Sequence, residues 1–235
     1  MTADRLTQAV RQRLRLGRLL PLGGPRDGAW ISEEAVEAVL LLAAQELPGV
    51  LLGPLRIGLA DPQDAHEPAV PPPPSALPPG PLRVAAEFAA TASEPLPTTA
   101  DRLRALLAAA AEGLGLAVAE VDLRVTDLLD EETEPSPVRR SDAARPAEAG
   151  GGDEGRVAAA VLAVPGVARL TDLLGRPVRV EEGQGEIALP RRHVRVELAL
   201  RADRRALDVA REVRVQAEQA LPDHPTVAVL VTAVG

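Results

Sequence analysis

The sequence predicts an α+β protein in which a small αββαβ module is written twice as a tandem duplication. In each copy two helices pack on one face of a three-stranded mixed sheet. Three observations carry this reading. Two apolar stripes at helical spacing each run into a Pro-Gly-Val stop, at Pro48-Gly49-Val50 and again at Pro165-Gly166-Val167. Behind each stop come alternating segments, a second helical stripe and a closing Val-rich strand. The stretches that differ between the halves are rich in Pro, Gly or charge, as loops and linkers are.

Residues 1–27 read as a basic amphipathic N-terminal segment, with Leu6, Val10, Leu14, Leu16 and Leu20 among Arg5, Arg11, Arg13, Arg15 and Arg18. Such a segment suits anionic lipid, an acidic partner groove, or a helix packed on its own first module. The first module spans residues 28–130. Val36, Val39, Leu40, Ala43 and Leu47 share one helical face, with Ser32 as N-cap and Glu33 and Glu34 at the positive end of the helix dipole. Leu55 to Leu59 alternate as a strand, as do Leu82, Val84, Ala86 and Phe88, with Arg83 and Glu87 on the opposite face. Between these strands lies the Pro-rich insertion 60–81, with PAVPPPPSALPPGP expected as an inert, extended polyproline II loop. Thr98 and Asp101 are spaced like a capping box ahead of the stripe Leu103, Leu106, Leu107, Ala110 and Leu114. Val121, Leu123 and Val125 close the module.

Residues 131–155 combine Pro, Gly, Ala and charge with little to bury, which predicts a flexible linker. The second module spans 156–235. It repeats the order with Val157, Ala160, Val161 and Val164, then Val178 to Glu181, then a turn over 181–186 and a short extended piece at Ile187-Ala188-Leu189. Val194, Val196, Leu198 and Leu200 follow, with Arg195 and Glu197 opposite. Ala206, Ala210, Val213 and Ala217 form the last helix, with Asp203 as its cap, and Val227, Val229 and Val231 the last strand.

Composition narrows the chemistry. The chain has 235 residues, enough for one or two domains with real cores, and no Cys, which removes disulfides, thiolate metal sites and thiol nucleophiles. Every basic side chain besides histidine is Arg, so neither a Schiff-base lysine nor a P-loop lysine exists. One Trp, one Phe and no Tyr leave no aromatic platform for base stacking. The net charge of −8 is unevenly spread, with a basic start, an acidic middle and a slightly basic end. That pattern disfavours general nucleic-acid binding and suits docking between modules or copies. No run of about 18 apolar residues is present, and the first residues lack the apolar core of a secretory signal, so a cytoplasmic location is expected.

Candidate sites reduce to contact residues. His66, His193 and His224 have no metal-ligand spacing, and the acids Asp127 to Glu134 lack the order of a calcium loop. Gly150 to Gly152 and Gly155 do not follow a strand, as a phosphate cradle requires. Pro71 to Pro74 are read as an inert loop rather than a ligand for a proline-recognising domain. Arg191, Arg192, Arg195, Arg201, Arg204 and Arg205 form a basic set whose natural target is the acidic first module, in the same chain or a neighbour. Arg11, Arg15, Arg18, Arg191, Arg192, Arg204 and Arg205 are the candidate partner contacts; no catalytic, cofactor-binding or metal residue is assigned, and no cofactor is expected.

The stretch Gly28-Ala29-Trp30-Ile31-Ser32-Glu33-Glu34-Ala35-Val36, followed by Ala43-Ala44-Gln45-Glu46-Leu47-Pro48-Gly49-Val50, resembles the opening of the alkaline shock protein family of bacteria. The resemblance covers most of 28–130 and extends to 156–235, where the Trp-Ile-Ser opening has no counterpart. It implies a non-enzymatic, two-module scaffold or adaptor in cell-envelope stress or maintenance, acting at the inner face of the cell membrane. The partners it implies are related alkaline-shock-like proteins, a membrane-anchoring protein and further copies of the chain. Two rival readings are a nucleic-acid-binding protein, which the acidic middle and missing Lys oppose, and an enzyme with its site between the modules.

Overall fold

The computed structural model describes residues 17–130, 150–182 and 192–235. Among these residues the chain folds into four α-helices and two mixed sheets, one of six strands and one of three. The three-stranded sheet has the order β3-β4-β5, built from β3 (Val50–Leu59), β4 (Leu82–Thr91) and β5 (Val118–Leu129). β3 runs antiparallel to β4, and β5 runs parallel to it. Leu82, Val84, Ala86 and Phe88 of β4 are buried under helices α1 (Glu33–Ala44) and α2 (Leu96–Leu114), so the alternation read in the sequence sets the core face.

α1 starts as its sequence predicts. Ser32 Oγ accepts from Ala35 N at 3.2 Å, and Glu33 and Glu34 occupy the first turn. α2 does not. It begins at Leu96 behind Pro95, with no side-chain cap, so Thr98 and Asp101 are not a capping box. Pro97 in the first turn explains the earlier start, because proline fixes a helical φ and its missing N–H has no partner there anyway.

In the second half, α3 (Gly152–Leu162) begins inside the stretch read as linker, with Asp153 and Glu154 in its first turn. β6 (Val167–Leu170) and β7 (Val178–Glu182) share one side of β8 (Arg192–Leu200), both antiparallel to it. α4 (Ala206–Gln219) leads to β9 (Thr226–Val234), which is parallel to β8. The N-cap position of α4 is Arg205, without a side-chain bond, so Asp203 stands too early to cap it and pairs instead with Arg201 at 3.8 Å. The expected linker residues 131–149, and the turn and extended piece within 183–191, lie outside the described residues.

The second sheet has six strands where three were expected. β2 (Ala29–Ser32) lies parallel against the far edge of β9, with Ala29 opposite Val229 and Ile31 opposite Val231. β1 (Leu19–Pro21) pairs antiparallel with β2, so the last part of the basic segment is strand, with Leu20 fully buried. Residues assigned from sequence to the first half therefore complete the sheet of the second. α1, leaving β2, then packs against both β9 and β3. The buried side chains of both halves form one continuous core.

Both faces of the six-stranded sheet are covered. Leu19, Trp30, Val70, Ala228 and Leu230 form a second, smaller core on the face away from the helices. Val70, with Ala76 packed against the same cluster, belongs to the Pro-rich insertion, which crosses this face as a strap. Trp30 Nε1 donates to the Leu77 carbonyl at 3.2 Å, Leu77 N donates to Leu19 O at 2.8 Å, and Ala69 N donates to Pro25 O at 2.9 Å. The insertion is thus a packed lid on the sheet, not an inert loop; prolines serve here because they present few donors needing partners.

Candidate functional site

The arginines singled out in the sequence are mostly engaged within the chain. Arg18 stands near Glu33, at 3.7 Å, while its backbone N–H donates to Glu33 Oε2 at 3.1 Å and Ile57 N donates to Oε1 at 3.2 Å. Glu33 thereby ties β1, α1 and β3 together. Arg192 bridges Asp153 at the start of α3 and Asp223 before β9, its Nε donating to Asp223 at 2.7 Å. Its hydrogen bonds hold both carboxylates below the usual aspartate range. Arg204 donates to the Pro165 carbonyl at 2.8 Å and faces Glu212 at 3.4 Å. Arg205 is exposed at the N-cap of α4.

These residues do not form one basic patch. Arg192 lies at one end of β8 and Arg204 and Arg205 beyond the other, separated by roughly 26 Å of strand at ordinary strand rise. Arg11, Arg15 and Arg191 lie outside the described residues.

A buried carboxyl was missed by sequence reasoning. Glu197 was read as pointing to the open face of β8, yet it is fully buried under the loop between β6 and β7. Its Oε2 accepts from Leu174 N at 2.9 Å, and Arg195 lies 3.4 Å from Oε1 without a hydrogen bond. Burial raises its pKa from 4.5 to about 7, outweighing the Leu174 hydrogen bond and the Arg195 charge. Nearby, Thr171 and Thr232 share a hydroxyl bond at 2.9 Å, Thr232 donates to Leu198 O at 3.1 Å, and Ser32 donates to Thr232 O at 3.1 Å. The available signal was in β9, where Ala228 and Leu230 are apolar on the face expected to be polar.

The two sheets end differently. β9 has six buried residues out of nine, with β2 on its outer edge and α1 packed against it. Among the described residues β5 pairs with β4 alone, and none of its twelve residues is buried. Val121, Leu123 and Val125 stand beside the buried Val84, Ala86 and Phe88 on the helix side, yet Val125 is 38% exposed and Leu128 57%. On the opposite side Arg83 holds Glu120 at 2.6 Å and Asp122 at 3.5 Å, and Arg124 faces Glu87 at 3.9 Å. An edge strand of this length, with a half-open apolar row, is a surface on which another chain can pair.

His193 Nδ1 meets Thr226 Oγ1 at 2.9 Å, and burial lowers its pKa, whereas His66 and His224 are exposed in separate loops. Among the described residues no group of three or more His, Asp or Glu is placed to hold a metal ion, and no helix is long and apolar enough to cross a membrane. Two open depressions are mainly polar, one along Glu154, Arg176 and Glu181, the other along Arg18, Glu33 and Glu37. No protein-family model, no characterised protein and no solved structure matches this chain.

Proposed function

We propose that this protein is a non-enzymatic scaffold or adaptor, similar to the alkaline shock proteins, that serves cell-envelope stress or maintenance through protein contacts at the inner face of the cell membrane. The single observation that carries the reading is the open, unburied edge of β5, set against the covered edge of β9. A contact protein needs such a surface, where ladder groups supply affinity and side chains supply selectivity.

The tandem duplication belongs to the same reading. The first half runs helix, strand, strand, helix, strand, and the second adds one strand, β6, ahead of β7; in both, antiparallel pairing is followed by a parallel pair. The segment that carries the family resemblance, Gly28 to Val36, forms β2 and the start of α1, which finish the second sheet and leave the first unfinished. Two copies of one module would then differ by whether this strand-helix element is present on the closing strand. The exposed Arg205, with Arg11, Arg15 and Arg191, remain candidate contacts in this proposal.

The test is crosslinking mass spectrometry on the protein captured from its native cells, with soluble and membrane fractions kept apart. Recovery in the membrane fraction, crosslinked to related proteins and a membrane-embedded partner, is the expected result. A partnerless protein confined to the soluble fraction would overturn the reading.

A further inference from the structure

We infer that β5 is the self-association edge of this protein: a second copy pairs with it antiparallel, about a two-fold axis through Leu123, and joins the two three-stranded sheets into one of six. This deepens the scaffold reading and rests on it only in taking β5 as a contact surface.

The register follows from the side chains. Residues directly opposite across an antiparallel pair point to the same face, so a register that sets odd positions against even ones would place the apolar row of one copy beside the charged row of the other. Among the registers that keep like faces together, charge selects one. With Leu123 on the axis, Asp122 stands opposite Arg124 of the second copy, twice by symmetry, while Val121 meets Val125 and Leu123 meets its own mate. Moving the axis to Asp122 or Arg124 sets two like charges face to face. The favoured register also continues a pattern already present. Arg83 lies 3.5 Å from Asp122 and Glu87 3.9 Å from Arg124 within one copy, so the pairing produces an alternating row of Glu87, Arg124, Asp122 and Arg83 across the junction.

On the other face the half-open Val121, Leu123 and Val125 gain apolar neighbours, as Val227, Val229 and Val231 of β9 have from β2 and α1. One side chain must yield. Arg104 of α2 donates to the Val121 carbonyl at 3.2 Å and to Asp101 at 2.5 Å, and the incoming strand replaces it at the carbonyl.

The experiment is sedimentation of the full chain over a micromolar concentration series, with Asp122→Arg and Arg124→Asp made separately and then mixed. Both positions are exposed, and circular dichroism checks that each variant is folded. The wild type is expected to dimerise, and each variant alone to associate about tenfold more weakly, because each sets like charges opposite each other twice. The equimolar mixture is expected to recover wild-type affinity as a heterodimer, since every opposed pair is again of opposite sign. A wild type that stays monomeric, or single variants that dimerise as well as it does, would overturn the proposal. A monomer that still crosslinks to membrane partners would overturn the dimer alone and leave the scaffold reading standing.

Discussion

Glu197 is the residue at which local chemistry and fold are most at odds. It lies in a strand whose alternation marks it as solvent-facing, but the loop carrying Leu174 closes over it and the carboxyl stays protonated up to about pH 7. The unfolded chain ionises this group from its ordinary value of 4.5, so the folded state holds the extra proton across that window. Stability contributed by the site is therefore full below the window and falls as pH rises through it. Glu197→Gln mimics the protonated form. Urea unfolding at about pH 5 and about pH 8 is expected to show the wild type losing on the order of 2–3 kcal/mol between the two, and the variant losing much less. An unchanged pH dependence in the variant would place the titration elsewhere. Asp27 behaves in the opposite sense: despite burial, the hydrogen bonds from Arg211 and Gly24 hold it below the usual range, so its contribution is lost only in acid.

At the scale of elements, the two halves are joined by one shared core, and one close approach within it can be tested at a single residue. α2 ends at Gly115 with φ +99, a conformation that favours glycine, and a methyl group there would run into Leu207 of α4. The Gly115 carbonyl also accepts from Gly23 N at 3.1 Å, next to the Asp27–Arg211 pair at 2.8 Å. Gly115→Ala is expected to cost roughly 2–4 kcal/mol through backbone strain and overpacking together, read as a lower urea midpoint. A loss below about 0.5 kcal/mol would mean that α2 and α4 slide apart at little cost. Helix positions were readable because their stripes and stops are local: Ser32 caps α1, and α1 and α3 end just ahead of the two Pro-Gly-Val stops. β6, which starts at the second stop, was not read from the sequence, because four residues are too short to show an alternation. Helix starts were less readable where Pro97 rather than a polar cap sets the first turn, and where α3 begins among glycines.

For the whole molecule, one continuous core predicts one unfolding event. β2 sits in the second sheet, α1 bridges to the first, and the Pro-rich strap from the first half lies over Trp30 and Leu230. Neither half can lose its structure without exposing apolar surface of the other. Calorimetry is expected to give a single transition with equal calorimetric and van't Hoff enthalpies, whereas two resolved transitions would show that the halves are independent. The sequence by itself determined the α+β class, the αββαβ order of the first half and the apolar rows of β4 and β9, because periodicity and turn chemistry act over a few residues. Only the tertiary structure decided that β2 completes the second sheet, that the Pro-rich strap roofs it, and that β5 has no partner beyond β4 among the described residues. Those outcomes depend on which edges and faces meet across nearly the full chain length, and a strand's own sequence does not specify its neighbour.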